Sequence, residues 1–206
     1  MHLPDGVLSG NLTAAGYAIS ALSTYVYSIT QKAKLSSDLV PRISLVTAVF
    51  FVASLMHIPV GLTSVHFSLV GLTGILLGPY SLFAVGIGLL FQMIMFNHGG
   101  YASLGVNFLI FGFAALSGYY IFLLRQKISS NSSIKIIVPL GFMAGALPVA
   151  IKIVIASAFL YAAGYPLAAG ITLLVFHIPV MLGEGVLTGS LVVSLLKLKK
   201  GYIYGE

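Results

Sequence analysis

Residues 103–124 read SLGVNFLIFGFAALSGYYIFLL, a stretch without a charged side chain. A helix of roughly 20 apolar residues matches the hydrocarbon thickness of a lipid bilayer. The whole chain shares this character, since 59% of its 206 residues are hydrophobic and only 7% are charged. A soluble domain carries about 25% charged residues, so this composition excludes a water-soluble globular protein. The sequence therefore predicts an integral membrane protein.

Further apolar runs predict an all-α, polytopic membrane helical bundle of about seven transmembrane helices. The third run is short, and only the Gly78-Pro79 break separates it from the fourth. No linker or internal repeat divides the chain, so we expect residues 1–206 to form a single transmembrane domain. The predicted spans are 8–31, 41–57, 65–79, 79–97, 103–124, 135–163 and 166–196.

Basic residues fall on one side of the predicted bundle, and the loops on the other side carry neither Lys nor Arg. Because cytoplasmic loops are enriched in basic residues, we expect the amino terminus outside and the carboxyl terminus in the cytoplasm. The net charge of +6 is then explained by basic residues in cytoplasmic loops of a protein in a lipid membrane, and it does not indicate nucleic acid binding. The residues on this side are Lys32, Lys34, Arg42, Arg125, Lys127, Lys135, Lys197, Lys199 and Lys200.

Four of the five histidines lie at or near the predicted outer ends of spans: His2, His57, His66 and His98. A single histidine of this kind is more often an interfacial residue bonded to backbone, but four at one face favour a metal site. Imidazole suits Ni, Co, Cu and Zn. The chain has no cysteine and only four acidic residues, which excludes a thiolate site and a carboxylate cage for Ca²⁺ or Mg²⁺.

The second position of the chain has chelating potential. The α-amine of Met1, the backbone nitrogen of His2 and the His2 ring can close two small rings around one metal ion. One further imidazole would complete a four-nitrogen plane, which suits Ni(II), Cu(II) or low-spin Co(II) and disfavours tetrahedral Zn(II). Retention of this amine is expected, since removal of an initiating Met generally needs a small second residue.

Other polar residues near the predicted outer face have two readings each. Asn97 and His98 precede two glycines, which could form a simple turn or let the backbone approach an ion or the amino terminus. The Asn97 amide could orient a ligand. Asp5 could hydrogen-bond the terminal amine or the His2 ring, or cap the first helix.

Lys152, His177 and Glu184 are ionisable residues inside predicted spans. Such groups are costly in a membrane and mark function, unless they form a buried structural network. One alternative is therefore an intramembrane metalloenzyme that uses His177 and Glu184. The chain lacks the H-E-x-x-H pair of metalloproteases, which weighs against an enzyme.

Several stretches in order along the chain resemble the CbiM/NikM family, the cobalt- and nickel-specific substrate-binding (S) subunits of energy-coupling-factor transporters. The likeness is strongest from Leu90 to Gly100 together with Leu104 to Asn107, although many members of the family would have a small residue in place of Asn97. The stretches are Met1 to Ser9, His57-Ile58-Pro59 with Ser64-Val65-His66, Leu76 to Pro79, Leu90 to Gly100 with Leu104 to Asn107, His177 to Val180, and Glu184 to Thr188.

The resemblance implies a membrane substrate-binding domain that captures Ni(II) or Co(II) as substrate and needs no organic cofactor. Carried over to this chain, the metal ligands are the Met1 amine, the His2 amide and ring, and the His66 ring. Asn97, His98, His57 and Asp5 are expected to surround them. The implied setting is the cytoplasmic membrane of a prokaryotic cell.

The resemblance also implies partner subunits. The chain has no Walker A pattern, so ATP hydrolysis would have to come from these partners. They are a transmembrane coupling subunit, cytosolic ATPase subunits and a small accessory membrane protein. The chain would itself be a transporter subunit without enzymatic activity. A vitamin-specific relative of the same transporter class remains an alternative, against which the four outer histidines count.

Overall fold

The computed structural model describes residues 2–30, 39–55, 57–60, 63–128, 133–198 and 201–204. Most of these residues are helical, and a short antiparallel strand pair joins the second helix to the third. The elements are α1 Gly10–Thr30, α2 Leu39–Ala53, β1 His57–Val60, β2 Thr63–His66, α3 Val70–Leu77, α4 Ser81–Phe96, α5 Leu104–Ile128, α6 Ile134–Ala162 and α7 Leu167–Leu198.

Four helical stretches in the described part of the chain are long and apolar enough to cross a membrane. By length and composition they are Val70–Phe96, which a turn at Gly78–Tyr80 divides into α3 and α4, and the three single helices Leu104–Ile128, Ile134–Ala162 and Leu167–Leu198. The predicted class of mostly helical, multi-pass membrane protein is therefore correct. The count of seven crossings remains a prediction, because α3 has only 8 residues and reaches about 12 Å along its axis.

The chain reverses direction between α3 and α4. Gly78 begins a 3₁₀ turn with a positive φ of 53°, and Pro79 and Tyr80 complete this turn. The reversal follows from the positions of two histidines, since His66 precedes α3, His98 follows α4, and both belong to one cluster. A straight 27-residue helix would separate its ends by about 40 Å. The predicted break at Gly78-Pro79 is thus a helical hairpin turn.

Small residues allow the central helices to pack with their backbones in close approach. A Cβ atom added at Gly118 of α5 would lie 2.7 Å from the Cα of Gly71 in α3. A Cβ atom at Gly71 would overlap the backbone of Ala144 in α6. This arrangement is the small-residue packing expected of membrane helices. It holds α3 between α5 and α6.

The described basic side chains at helix ends lie at the end of the bundle away from the histidines. Arg42 donates a hydrogen bond to the Gly201 carbonyl, and the last turns of α5 and α7 carry Arg125, Lys127 and Lys197. Tyr204 binds the end of α3 near the reversal. The separation of cationic and histidine-bearing ends agrees with the predicted topology, whose direction across the membrane stays a prediction.

Candidate metal centre

The amino-terminal segment is held inside the bundle by an amide side chain from α5. Asn107 accepts a hydrogen bond from the Leu3 backbone nitrogen at 2.9 Å and donates one to the Leu3 carbonyl oxygen, also at 2.9 Å. Leu3 and Asn107 are both almost fully buried. This reciprocal pair fixes the backbone directly after His2, whose own side chain is 3% exposed.

Asp5 forms a second anchor at the turn that leads into α5. Its carboxylate accepts hydrogen bonds from the backbone nitrogens of Tyr101 at 2.8 Å and Ser103 at 2.9 Å, and from the Ser103 hydroxyl at 3.1 Å. Burial favours a higher pKa for Asp5, but the donated hydrogen bonds outweigh it and lower the pKa below its usual value. Asp5 therefore binds the turn that precedes α5, and among the described residues it has no hydrogen bond to α1, the helix named in the sequence-based alternative.

The two glycines after His98 make room for this segment. Gly99 and Gly100 have positive φ values of 96° and 84°, which favour glycine. A Cβ atom on Gly99 would lie 3.4 Å from the His2 ring, and one on Gly100 would overlap the Asp5 carboxylate. Of the two sequence-based readings, the structure supports close approach by the amino terminus.

His66 enters the site from the end of the strand pair. It lies opposite His57 in the antiparallel register, yet His66 is 2% exposed whereas His57 faces the surface. The Nδ1 atom of His66 lies 2.9 Å from the Phe67 carbonyl oxygen. Because a carbonyl oxygen only accepts, this contact places the ring proton on Nδ1 and leaves a lone pair on Nε2.

Three imidazoles converge at this end of the bundle. One ring nitrogen each from His2, His66 and His98 lies within 4.8 Å of the others. The closest pair is His2 Nδ1 and His66 Nε2, at 3.2 Å. Histidine nitrogens that share one ion at bonds of about 2.0–2.1 Å are about 3–4 Å apart, so small ring movements suffice to accommodate a metal.

Phe111 of α5 forms an apolar floor under the cluster. Its ring centroid lies 4.7 Å from the His2 ring and 6.2 Å from the His66 ring, and the rings are stacked. The His98 ring meets the His2 ring edge-on, with 4.1 Å between centroids. Phe111 is completely buried. The His2 and His66 rings therefore pack on Phe111, and the His2 ring also packs against the edge of His98.

The cluster can bind a cation because the His2, His66 and His98 rings are uncharged at neutral pH. Burial lowers the pKa of His2 and His66 well below the usual value of 6.5. Burial also lowers the pKa of His98 to about 4. The Nε2 atom of His98 is buried and has no hydrogen-bond partner among the described residues. At neutral pH each ring is therefore uncharged and keeps one nitrogen lone pair, the form of histidine that binds a metal.

The remaining predicted residues lie around the cluster or outside the described ranges. His57 lies 4.6 Å from the His98 ring between centroids, and its Nδ1 contacts the Leu55 carbonyl oxygen at 2.9 Å. Asn97 is exposed and caps α4 with a positive φ of 49°, a position where Asn replaces Gly well. Met1 lies outside the described residues, so its amine stays a predicted ligand.

Sequence reasoning assigned no role to four residues that support the site. Ser103 directly precedes α5, Asn107 and Phe111 lie in its first turns, and Ser68 follows His66. The sequence could have indicated a role for Asn107, because a side-chain amide one turn into an otherwise apolar span needs a buried hydrogen-bond partner. Ser68 and Phe111 carried no such signal, since serine and phenylalanine are ordinary residues in such helices.

The candidate enzyme residues do not form a catalytic pair in this structure. His177 Nδ1 lies 2.8 Å from the Leu173 carbonyl oxygen of its own helix. Glu184 instead accepts two hydrogen bonds from Ser68, from the backbone nitrogen at 2.6 Å and from the hydroxyl at 2.9 Å. Lys152 donates to the same hydroxyl at 2.6 Å. The buried structural network that the sequence left open is therefore present.

Gly100→Ala should weaken Ni(II) binding by about 10- to 100-fold, the cost typical of disturbing the support of a metal ligand. The new methyl group would displace Asp5 and, with it, the segment that carries His2. Gly164→Ala is the matched control, because Gly164 has a similar φ of 91° and an added Cβ atom would meet nothing within 4 Å. Equal Ni(II) affinity in calorimetric titrations of both variants would contradict this prediction.

A mostly helical, apolar bundle with neutral imidazoles gathered at one end defines a multi-pass membrane protein with a site suited to a transition metal. Residues 2–201 match the family described as CbiM, cobalt uptake substrate-specific transmembrane region. The chain belongs to this family. Membership confirms the resemblance found in the sequence and places the protein among membrane components of cobalt and nickel transport.

Individual relatives agree with this assignment. The chain is 34% identical over 200 residues to the "Putative metal transport protein" of Haemophilus influenzae, covering 96% of this chain and 94% of the relative. It is 30% identical over 198 residues to the "Putative fused nickel transport protein NikMN" of Archaeoglobus fulgidus, covering 93% of this chain and 64% of that relative. Both relatives are named as transport proteins and not as enzymes.

A solved structure shows the same fold. It is described as "Crystal Structure of an transition metal transporter" and superposes with a TM-score of 0.84 at 22% sequence identity. The superposition covers 96% of this chain and 93% of that chain. At this level of identity the comparison establishes the fold alone.

Proposed function

We propose that the protein is the substrate-capture subunit of an energy-coupling-factor importer that takes up Ni(II), or Co(II), from the outer face of the cytoplasmic membrane. The observation that carries the proposal is the convergence of His2, His66 and His98 in a buried cluster. The metal is the transported substrate, and its ligands lie at the end of the bundle that carries none of the described helix-end cations.

The orientation of the two closest rings supports a chelate that includes the amino terminus. Nδ1 is the ring nitrogen of a histidine that can share a metal with the histidine's own backbone nitrogen. In His2 this atom faces His66 Nε2 at 3.2 Å. We therefore assign the four-nitrogen plane to the Met1 amine, the His2 backbone nitrogen, His2 Nδ1 and His66 Nε2. His98 is available beside this plane as a further donor.

Coordination geometry accounts for selectivity in this proposal. A planar site of four nitrogens suits Ni(II) and low-spin Co(II), whereas Zn(II) prefers a tetrahedron. Mg²⁺ and Ca²⁺ require oxygen ligands, whereas the cluster offers imidazole nitrogens, and the Asp5 carboxylate is occupied by hydrogen bonds from Tyr101 and Ser103. Ni(II) is the favoured substrate on these grounds.

Transport would require partners that supply energy. In the proposed assembly a transmembrane coupling subunit and cytosolic ATPase subunits associate with this chain, together with a small accessory membrane protein. The apolar outer surfaces of the helices contact lipid. The amino terminus faces outward, so that the cluster opens toward the source of the metal.

Uptake of radioactive nickel by cells tests the proposed function. Cells that express the chain with its coupling and ATPase partners should accumulate nickel above cells that express the His66→Ala variant with the same partners. Immunoblots of membrane fractions would establish equal amounts of both chains. Equal accumulation at equal expression would contradict the proposal. Competition by excess Co(II), but not by Mg²⁺, is expected from the nitrogen ligands.

A further inference from the structure

A short irregular segment links the metal ligand His66 to α3. It comprises Phe67, Ser68 and Leu69, and the last of these adopts the left-handed conformation with φ 51° and ψ 30°. Residues with a side chain rarely adopt this conformation, and leucine has no local polar group to favour it. Contacts from the rest of the bundle must therefore hold the segment in place.

Two buried polar side chains from separate helices, Lys152 and Glu184, provide those contacts at Ser68, and we name Lys152, Ser68 and Glu184 the polar clamp. Glu184 Oε1 accepts from the Ser68 nitrogen at 2.6 Å and from its hydroxyl at 2.9 Å. Lys152 Nζ donates to the same hydroxyl oxygen at 2.6 Å. All three residues have no exposed surface. The hydroxyl thus donates to one charged group and accepts from the other.

The polar clamp also touches the floor of the metal site. Lys152 Nζ lies 4.9 Å from the centroid of the Phe111 ring, the ring on which His2 and His66 stack. α6 supplies Lys152 and α7 supplies Glu184. Neither α6 nor α7 carries one of the three clustered histidines. Both helices nevertheless contact Ser68, and α6 also contacts Phe111, on which His2 stacks.

The stability of the folded protein alone does not explain why Lys152 and Glu184 are buried here. Burying a cation and a carboxylate costs desolvation energy that their attraction often fails to exceed, and apolar residues of similar volume are often as stable. Inside a membrane such groups are expensive and mark functional positions. The clamp instead supplies directional hydrogen bonds to a strained segment two residues from a metal ligand.

We propose that the polar clamp positions His66 for metal binding, so that Lys152 and Glu184 act on the site through the Ser68 backbone. The inference rests on the proposed capture of Ni(II) by His66. It follows that metal affinity depends on the packing of α6 and α7 against the segment. Movement of these helices away from α3 would withdraw the hydrogen bonds that set the His66 position and would favour release of the metal.

A pair of double variants separates the hydrogen bonds from the charges. Both K152M/E184Q and K152M/E184L remove the two charges and keep side chains of similar size, but only the E184Q change retains an oxygen that accepts from Ser68. We expect K152M/E184L to weaken Ni(II) binding about 10- to 100-fold, the range typical of second-layer contacts to metal ligands. The visible absorption of bound Ni(II) should change with it, and K152M/E184Q, which loses only the Lys152 hydrogen bond, should weaken binding less than K152M/E184L.

The matched control is Thr188→Val, which replaces a buried residue one helical turn from Glu184 by one of similar shape. The Thr188 hydroxyl has no hydrogen-bond partner among the described residues, so Ni(II) affinity should not change. Circular dichroism and elution volume of the detergent-solubilised chain report the fold. If K152M/E184L does not fold, K152M/E184M is measured instead, because methionine is close to glutamate in length and offers no oxygen to Ser68.

Folded K152M/E184L, or K152M/E184M in its place, with wild-type Ni(II) affinity and absorption would overturn the role of the clamp. A wild-type chain that binds no Ni(II) would overturn the proposed function and the clamp's role together. The two failures are therefore distinguishable in one set of titrations.

Discussion

Substitution of His66 by Ala is expected to lower the affinity for Ni(II) by more than about 100-fold, since second-layer partners of a metal ligand already contribute about 10- to 100-fold. The His66 ring supplies the only donor of the proposed plane from outside the amino-terminal segment. Its Nε2 atom faces His2 Nδ1 at 3.2 Å, and its Nδ1 proton is bound to the Phe67 carbonyl oxygen. Titration calorimetry of the purified chain measures the loss.

His57→Ala is the matched control for this substitution. His57 lies directly opposite His66 in the strand pair, so both variants remove an imidazole from the same register position. His57 is exposed and contacts Leu55, whereas His66 is buried in the cluster. We expect His57→Ala to change Ni(II) affinity little. Equal losses in the two variants would contradict the assignment of His66 as a ligand.

Blocking the amino terminus is expected to abolish high-affinity binding of Ni(II). A peptide bond to Met1 removes the amine, which is one of four proposed nitrogens, and prevents the first chelate ring from closing. A histidine-free tag that a protease removes directly before Met1 allows the same sample to be titrated before and after cleavage. The tag should exceed one residue, because a histidine at position 3 can form a four-nitrogen chelate without His66.

The combined variant tests whether the amine and His66 belong to one site. If they do, cleavage of the tag should restore strong binding to the wild-type chain but not to His66→Ala, because effects within one site are not additive. Restoration of similar affinity in both chains would show that the amine acts apart from His66. Strong binding by the tagged wild-type chain would exclude the amine as a ligand.

The helices were predictable because apolar length is a strong signal, and each predicted span overlaps a helix in the structure. The third span was less predictable. Part of it, residues 65–69, lies in β2 and the irregular segment after it, since polar contacts from Lys152 and Glu184 stabilise a non-helical path there. A sequence does not show such contacts, because they come from helices far along the chain.

The candidate site was predictable in its chemistry but not in its full geometry. His2 and His66 followed from the chelating start and from family resemblance, and the structure brings both together with His98. The sequence did not distinguish His98 from His57 as the nearer ring. That difference depends on where α4 ends, with Asn97 in the left-handed conformation turning the chain toward His2.

Ni K-edge X-ray absorption of the purified, metal-loaded chain with a free Met1 amine tests the central claim most directly, because it reports the number, type and arrangement of the atoms bound to nickel. Our account predicts a planar shell of four nitrogens in the wild-type chain and the loss of that shell in His66→Ala. A six-coordinate shell that contains oxygen, or an identical planar shell in His66→Ala, would contradict it.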